Sequence, residues 1–153
     1  SHRHNAGFGK RIEYWIMGRM LLEGLDLYVP LVDDDAIDVV IRRPDETFIT
    51  VQIKARSKDC IPGDAALFAA IPHELRVNYW FVFYSERMNK TWIMTSNEFI
   101  KEASQNKTGK NIGKRSIWFN GKKVNKTTGK AEEYCKPQFE KYLAENFERL
   151  LTG

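Results

Sequence analysis

The alternation of apolar and polar side chains is clearest in "FITVQIKAR", residues 48–56. Successive side chains of a strand point to opposite faces, so Ile49, Val51 and Ile53 share one face while Phe48, Thr50, Gln52 and Lys54 share the other. Just upstream, "AIDVVIR" alternates in the same way, with Ile37, Val39 and Ile41 on one face and Asp38 and Val40 on the other. The intervening "RPDET" has turn chemistry, and a hairpin closing over residues 43–47 sets Arg42 opposite Phe48 and Asp38 opposite Gln52. That register gathers Asp38, Gln52 and Lys54 on one face of the strand pair; a slip of one residue would scatter them.

Residues 8–25 carry a helical pattern of good helix formers that stops at Gly24. Glu13 shares its face with Met17, Met20 and Gly24, so a carboxylate projects from an apolar surface and needs a cation, a donor or a metal. Arg19 and Glu23, four apart on another face, suit a solvent pair. "LDLYVPLV" predicts a strand interrupted near Pro30, at a sheet edge or a bend, and Asp33, Asp34 and Asp35 read as a loop.

Further along, "CIPGDAALFAAI" predicts a short apolar helix with Asp64 as its N-cap, and "VNYWFVFYS", apolar on both faces, predicts a buried central strand with its aromatics in the core. "KTWIMT" predicts another strand and "SNEFIKEA" a helix capped by Ser96. Residues 137–151 predict a terminal amphipathic helix with Phe139, Leu143, Phe147, Leu150 and Leu151 near one stripe. This order of elements implies an α/β fold, a mixed sheet flanked by helices. A chain of 153 residues with 42% hydrophobic content suits one domain, residues 1–153. Residues 1–7 read as a terminal tail, an expression scar or a fragment boundary, so His2 and His4 take no metal role.

Charge adds a regional feature. The net charge is +4, yet between Ala103 and Ala131 there are Lys107, Lys110, Lys114, Arg115, Lys122, Lys123, Lys126 and Lys130 and no acid, leaving the rest of the chain net negative. Such a segment flanking Trp118 and Phe119 suits a loop or hairpin that contacts a polyanion, or a solvated lysine-rich loop. Arg56 and Lys58, just past the "VQIK" strand, can reach backbone phosphates. His73 has no obvious partner and reads as structural or exposed. No apolar run approaches a membrane span and no signal peptide is visible. Cys60 and Cys135 lack ligand-like spacing, which with these features suggests a reduced, cytoplasmic chain. The three "NKT" triplets, at Asn89, Asn106 and Asn125, then read as polar turns.

Glu13, Asp38, Gln52 and Lys54 make the candidate chemistry: two carboxylates, an amide and an ammonium drawn from one helix and two paired strands. Hard divalent cations favour such oxygens. Asp38 is preferred to Asp33, Asp34 and Asp35 because only Asp38 runs into the alternating strand. A helix glutamate, a hairpin aspartate and an acid-x-Lys on the next strand resemble the motif of the PD-(D/E)xK nuclease superfamily, here as Glu13 in "GKRIEYW", Asp38 in "AIDVVI" and Gln52 with Lys54 in "VQIK". The chain looks most like its small members, such as Holliday-junction resolvases and compact homing or restriction endonucleases, and the similarity covers about the first third of the sequence.

The resemblance implies a restriction-endonuclease-like core in the order α-β-β-β-α-β with C-terminal additions, acting on DNA as a homodimer. It implies an endodeoxyribonuclease dependent on Mg²⁺, with Mn²⁺ as a substitute. Asp38 would be the central metal ligand, Gln52 and the Ile53 carbonyl would complete the strand's share, and Glu13 would act directly or through water. Lys54 would orient or deprotonate the attacking water or contact the phosphate. Arg56, Lys58, Lys107, Lys110, Lys114, Arg115, Lys122 and Lys123 would hold nucleic acid. Gln52 departs from the usual Asp or Glu, which removes a negative charge from the metal shell. The alternatives are a non-catalytic nucleic-acid-binding module on the same fold, using the basic segment 107–130, and a structural protein with no nucleic-acid role.

Overall fold

A computed structural model describes residues 5–153 of the chain, so His2 and His4 lie outside the described residues. Helix α1 (Asn5–Leu22) starts earlier than expected, and residues 5–7, read above as tail, belong to it. It ends in a Schellman cap: the Leu25 amide returns to the Met20 carbonyl at 3.0 Å, and Gly24 takes the left-handed φ of +88° that this closure requires. Ile16, Met17 and Met20 are buried along one face.

Strand β1 (Asp26–Tyr28) is a short sheet edge, and the chain leaves it ahead of Pro30, as that residue's missing donor predicts. Strands β2 (Val39–Arg42) and β3 (Phe48–Arg56) pair antiparallel in the expected register, Arg42 with Phe48 and Val39 with Val51. Ile49, Val51 and Ile53 are buried against α1, and Thr50, Gln52 and Lys54 occupy the other face, partly exposed. Ile37 departs from expectation: it precedes the start of β2, so strand alternation does not bind it, and it packs in the opposite core.

The segment expected to be a helix capped by Asp64 is strand β4 (Leu67–Ile71). Five residues of apolar sequence carry no periodicity that separates helix from strand, and here tertiary pairing decides. Phe68 and Ile71 both point into the core because a bulge separates them, with Ala70 at a φ of +56°. Strand β5 (Tyr79–Ser85) is buried along its whole length, parallel to β3 and antiparallel to β6 (Lys90–Thr95). The principal sheet is therefore mixed, in the order β1-β2-β3-β5-β6.

Helix α2 (Ser96–Glu102) is capped by Thr95 in a reciprocal box with Glu98, one residue before the expected cap. Ser96 is instead spoken for, with its hydroxyl 2.6 Å from His73 Nε2 and accepting the Arg76 amide at 3.0 Å. The basic segment forms β7 (Ser104–Gln105), β8 (Arg115–Trp118) and β9 (Asn120–Val124), followed by β10 (Ala131–Cys135). β4, β8 and β7 make a second sheet, and β9 and β10 a separate ribbon. All three "NKT" asparagines sit at turns or strand ends, as their reading as polar turns requires.

The C-terminal amphipathic helix is not formed. A 3-10 helix (Pro137–Tyr142) gives way to extended chain at Leu143, and only α3 (Arg149–Thr152) follows. The reason is that the stripe serves two cores: Phe139 packs on the face of the principal sheet that meets the second sheet, and Phe147 and Leu150 on the face that meets α1. An extended crossing of the β6 edge, with Leu143 bridging Trp92 and the Ala144 amide on the Thr91 carbonyl, joins them. Glu23 accepts the Phe147 amide at 2.8 Å and Arg19 lies over the rings of Trp15 and Phe147, so neither keeps the solvent pair expected of them. Phe83 has no exposed surface and touches Phe68, Phe81 and Phe119 with ring centroids 4.9–5.3 Å apart. Phe83→Ala is expected to cost about 3–5 kcal/mol in chemical denaturation. Leu75→Ala on the surface should stay within about 0.5 kcal/mol.

Candidate active site

The site begins where β2 falls short of β3. The Asp38 amide donates to the Val51 carbonyl at 2.9 Å, and its side chain then turns to accept the Ile53 amide on Oδ2 at 2.6 Å. A strand residue's N–H and C=O point to the same side, so the Ile53 carbonyl also faces the gap that Asp38 spans. The last rung of the hairpin is Val39 with Val51; Asp38 lies just beyond it, while Gln52 and Lys54 share one face of β3. The Lys54 ammonium is near enough to favour the ionised form of Asp38.

Gln52 is held from below. Tyr79, on the neighbouring strand β5, donates its hydroxyl to Gln52 Oε1 at 2.9 Å, and the same hydroxyl lies in very short contact with the Ala36 carbonyl. An amide oxygen has two lone pairs, so Gln52 Oε1 keeps one toward the site. Burial raises the Tyr79 hydroxyl's pKa well above the ordinary phenol range, so it stays a donor. Sequence placed Tyr79 in the core, where its ring is; the one available signal for its second role is that a buried tyrosine hydroxyl needs a partner.

Glu13 reaches the site from α1, on the other side of the sheet. Burial is the main cause raising its pKa, the charge of Asp38 adds to it, and Lys10 opposes both from 3.3 Å. Lys10, which sequence reasoning missed, also lies 3.8 Å from Asp33, tying the acid loop to the helix. Asp38 is raised as well, first by burial and then by Asp33, against the Ile53 amide, Lys10 and Lys54. Burial therefore disfavours the charged forms of both carboxylates, even with Lys10 beside Glu13.

Among the described residues, no group of three or more His, Cys, Asp and Glu side chains is placed to hold a metal ion. Glu13 and Asp38 are carboxylates and Gln52 is an amide, oxygen donors of the kind taken by Mg²⁺, an ion that keeps several waters and binds one or two carboxylates from protein. A cleft of about 490 Å³ lies at the C-terminal end of β3, lined by Phe8, Ala55, Arg56, Asp59, Ile61 and Asp64 among others, and none of Glu13, Asp38, Gln52 and Lys54 lines it. Arg56 is in this cleft, paired with Asp64 at 3.6 Å. Lys58 is exposed in the next loop, whose carbonyls Arg87 binds.

The basic segment does not form one surface. Lys107 and Lys110 are exposed in the β7–β8 loop, Lys114 is tied to Asn111, and Arg115 donates to the His73 carbonyl at 3.1 Å as part of the packing between β4 and β8. Lys122 and Lys123 belong to the β9–β10 ribbon at the other end of β8. His73 is structural: it is buried among Tyr79, Phe81 and Phe99, and burial pushes its pKa down to about 4.

No protein-family model and no curated protein sequence matches the chain. Among solved structures, the fold is similar to that of the bacterial homing endonuclease I-Ssp6803I, with a TM-score of 0.59 and 16% sequence identity over 92% of this chain and 86% of that one. The architecture is thus a mixed α/β fold like that of an endonuclease. No described helix is long and apolar enough to cross a membrane. Because burial raises the Asp38 carboxyl's pKa, its charge costs the fold stability above the ordinary carboxylate pKa, and that cost disappears as pH falls and the proton returns. Asp38→Asn is accordingly expected to raise the unfolding midpoint at pH 7, with the advantage shrinking toward pH 4. Equal midpoints at pH 7 would contradict the reading.

Proposed function

We propose that the protein is a metal-dependent DNA endonuclease whose active site is Asp38, Gln52 and Lys54, completed by Glu13. The observation that supports this most directly is the bond from the Ile53 amide to Asp38 Oδ2 just beyond the end of β2, which holds a carboxylate against the strand that carries Gln52 and Lys54. The endonuclease-like fold is consistent with it.

Mg²⁺, or Mn²⁺ in its place, would be held by Asp38, Gln52 and the Ile53 carbonyl, with Glu13 direct or through water, and would activate water and neutralise charge building on the phosphodiester. The chain's own groups do the rest. The Ile53 amide fixes the rotamer of Asp38, and the Tyr79 hydroxyl fixes Gln52. Lys54, a compact charge on a flexible stem, orients the attacking water or holds the scissile phosphate. Arg56 and the lysines of the two hairpins contact the flanking DNA. One site cuts one strand, so a homodimer would cut a duplex. We assign it to the cytoplasm, where Cys60 and Cys135, both free thiols, would stay reduced.

The test is cleavage of supercoiled, linear and branched DNA with Mg²⁺ or Mn²⁺. Cleavage should require metal, and Asp38→Ala or Lys54→Ala should each lower the rate by about 10²–10³-fold, the usual effect of removing one group that stabilises developing charge. Equal cleavage by wild type and Asp38→Ala would sink the site assignment, and metal-independent binding without products would leave a binding module. Gln52→Glu, which restores the missing charge, should lower the metal concentration needed for half-maximal cleavage. An unchanged requirement would remove Gln52 from the metal shell.

A further inference from the structure

Among the described residues the β9–β10 hairpin is a two-stranded ribbon with no third strand. Such a ribbon is marginal alone, and this one is anchored at its base. Glu133 accepts the amides of Gly63 and Ala65 at 2.9 and 3.0 Å, and two nitrogens of Arg87 at 2.7 and 2.8 Å. Asn120, fully buried, accepts the Ala66 amide and the Trp118 indole N–H and donates to the Gly63 carbonyl. Ile61 and Asp64, in the same stretch as these partners, line the cleft at the C-terminal end of β3, so the ribbon is anchored to that cleft's wall. Its tip is equally set: Asn125 Oδ1 accepts the amides of Thr127 and Thr128, and Gly129 closes the turn at a φ of +70°.

The two faces of the ribbon differ. Lys122 and Glu133 are directed to the anchoring loop, and the Lys122 stem lies beside Gly63. The opposite face carries Gly121 and Tyr134, then Lys123 and Glu132 as a cross-strand pair. The Tyr134 ring covers Gly121, where any Cβ would come within 2.4 Å of it, and the Lys123 ammonium sits 5.4 Å from the ring centroid. Asn125 Nδ2 donates to Glu132 Oε1 at 3.2 Å. Lys123, Glu132 and Tyr134 are all exposed. A face made only to grip phosphates would have no use for a carboxylate, whereas a base-edge reader needs acceptors as well as donors.

We propose that this face of the β9–β10 ribbon enters the major groove of duplex DNA beside the cleft and reads a G·C-containing step, a role that rests on the nuclease reading of the site. Lys123 donates to the guanine O6 and N7 acceptors, Glu132 accepts from the cytosine amino group, and Lys126 and Lys130 at the tip bind the flanking phosphates. The dimensions agree: strands about 4.8 Å apart with their side chains fit a groove about 12 Å wide. Five residues at about 3.3 Å each follow roughly five base pairs. The β7–β8 loop, with Lys107 and Lys110 and no acid, holds backbone only.

The full chain is used to select from a randomised duplex pool in EDTA, so that bound DNA stays whole, and the bound fraction is sequenced. Wild type is expected to enrich a motif containing G·C pairs. The double variant Lys123→Ala, Glu132→Gln should lose about tenfold of the discrimination at a contiguous block of that motif. Lys107→Ala with Lys110→Ala should weaken binding to all pool members alike. Replacing guanine by 7-deazaguanine in the enriched duplex, which removes a major-groove acceptor, should cost wild type about tenfold in affinity. A wild type that enriches no motif, a ribbon variant that keeps the whole motif, or indifference to 7-deazaguanine overturns the proposal. If Asp38→Ala cleaves normally while the ribbon variant loses the motif, the nuclease site fails and the ribbon assignment stands.

Discussion

The bond from the Ile53 amide to Asp38 Oδ2 decides where the β2–β3 ladder stops. A strand that outruns its partner leaves backbone donors and acceptors that must be satisfied elsewhere. Asp38 satisfies one of them with a side chain rather than a carbonyl, and in doing so brings a carboxylate onto the sheet at the level of Gln52. Everything placed around it follows from strand geometry: Lys54 is two residues on, the Ile53 carbonyl opens to the same gap, and Tyr79 comes from the parallel neighbour β5. The charged oxygens are concentrated at a defect in the ladder because backbone pairing no longer fills that space.

The two faces of the principal sheet divide the remaining labour. Aliphatic side chains of β3 pack on α1, which carries Glu13 toward the site, and the aromatic face of β5 and β6 packs on the small sheet and the C-terminal segment. The small sheet in turn carries the basic hairpins at opposite ends of β8. Arg87 and Glu133 join the ribbon to the loop that walls the cleft, so the rigidity of an ion pair with four hydrogen-bonded contacts fixes the ribbon's base against that loop.

Much of this is legible in residue order. The 48–56 alternation and the "RPDET" turn determined the hairpin register, because a half-buried strand tolerates no slip of one residue. The same alternation placed Thr50, Gln52 and Lys54 on one face of β3, and the all-apolar "YWFVFYS" identified the central strand. Tertiary structure alone decided the rest, wherever a segment answers to a distant partner rather than to its own period. "LFAAI" is a strand because β8 lies beside it, and the C-terminal stripe is broken because its apolar residues serve two cores. The basic run becomes two arms instead of one surface because its strands join different sheets. Tyr79 under Gln52 and Lys10 between Glu13 and Asp33 depend on contacts across the fold or on where a loop comes to rest, which no local pattern encodes.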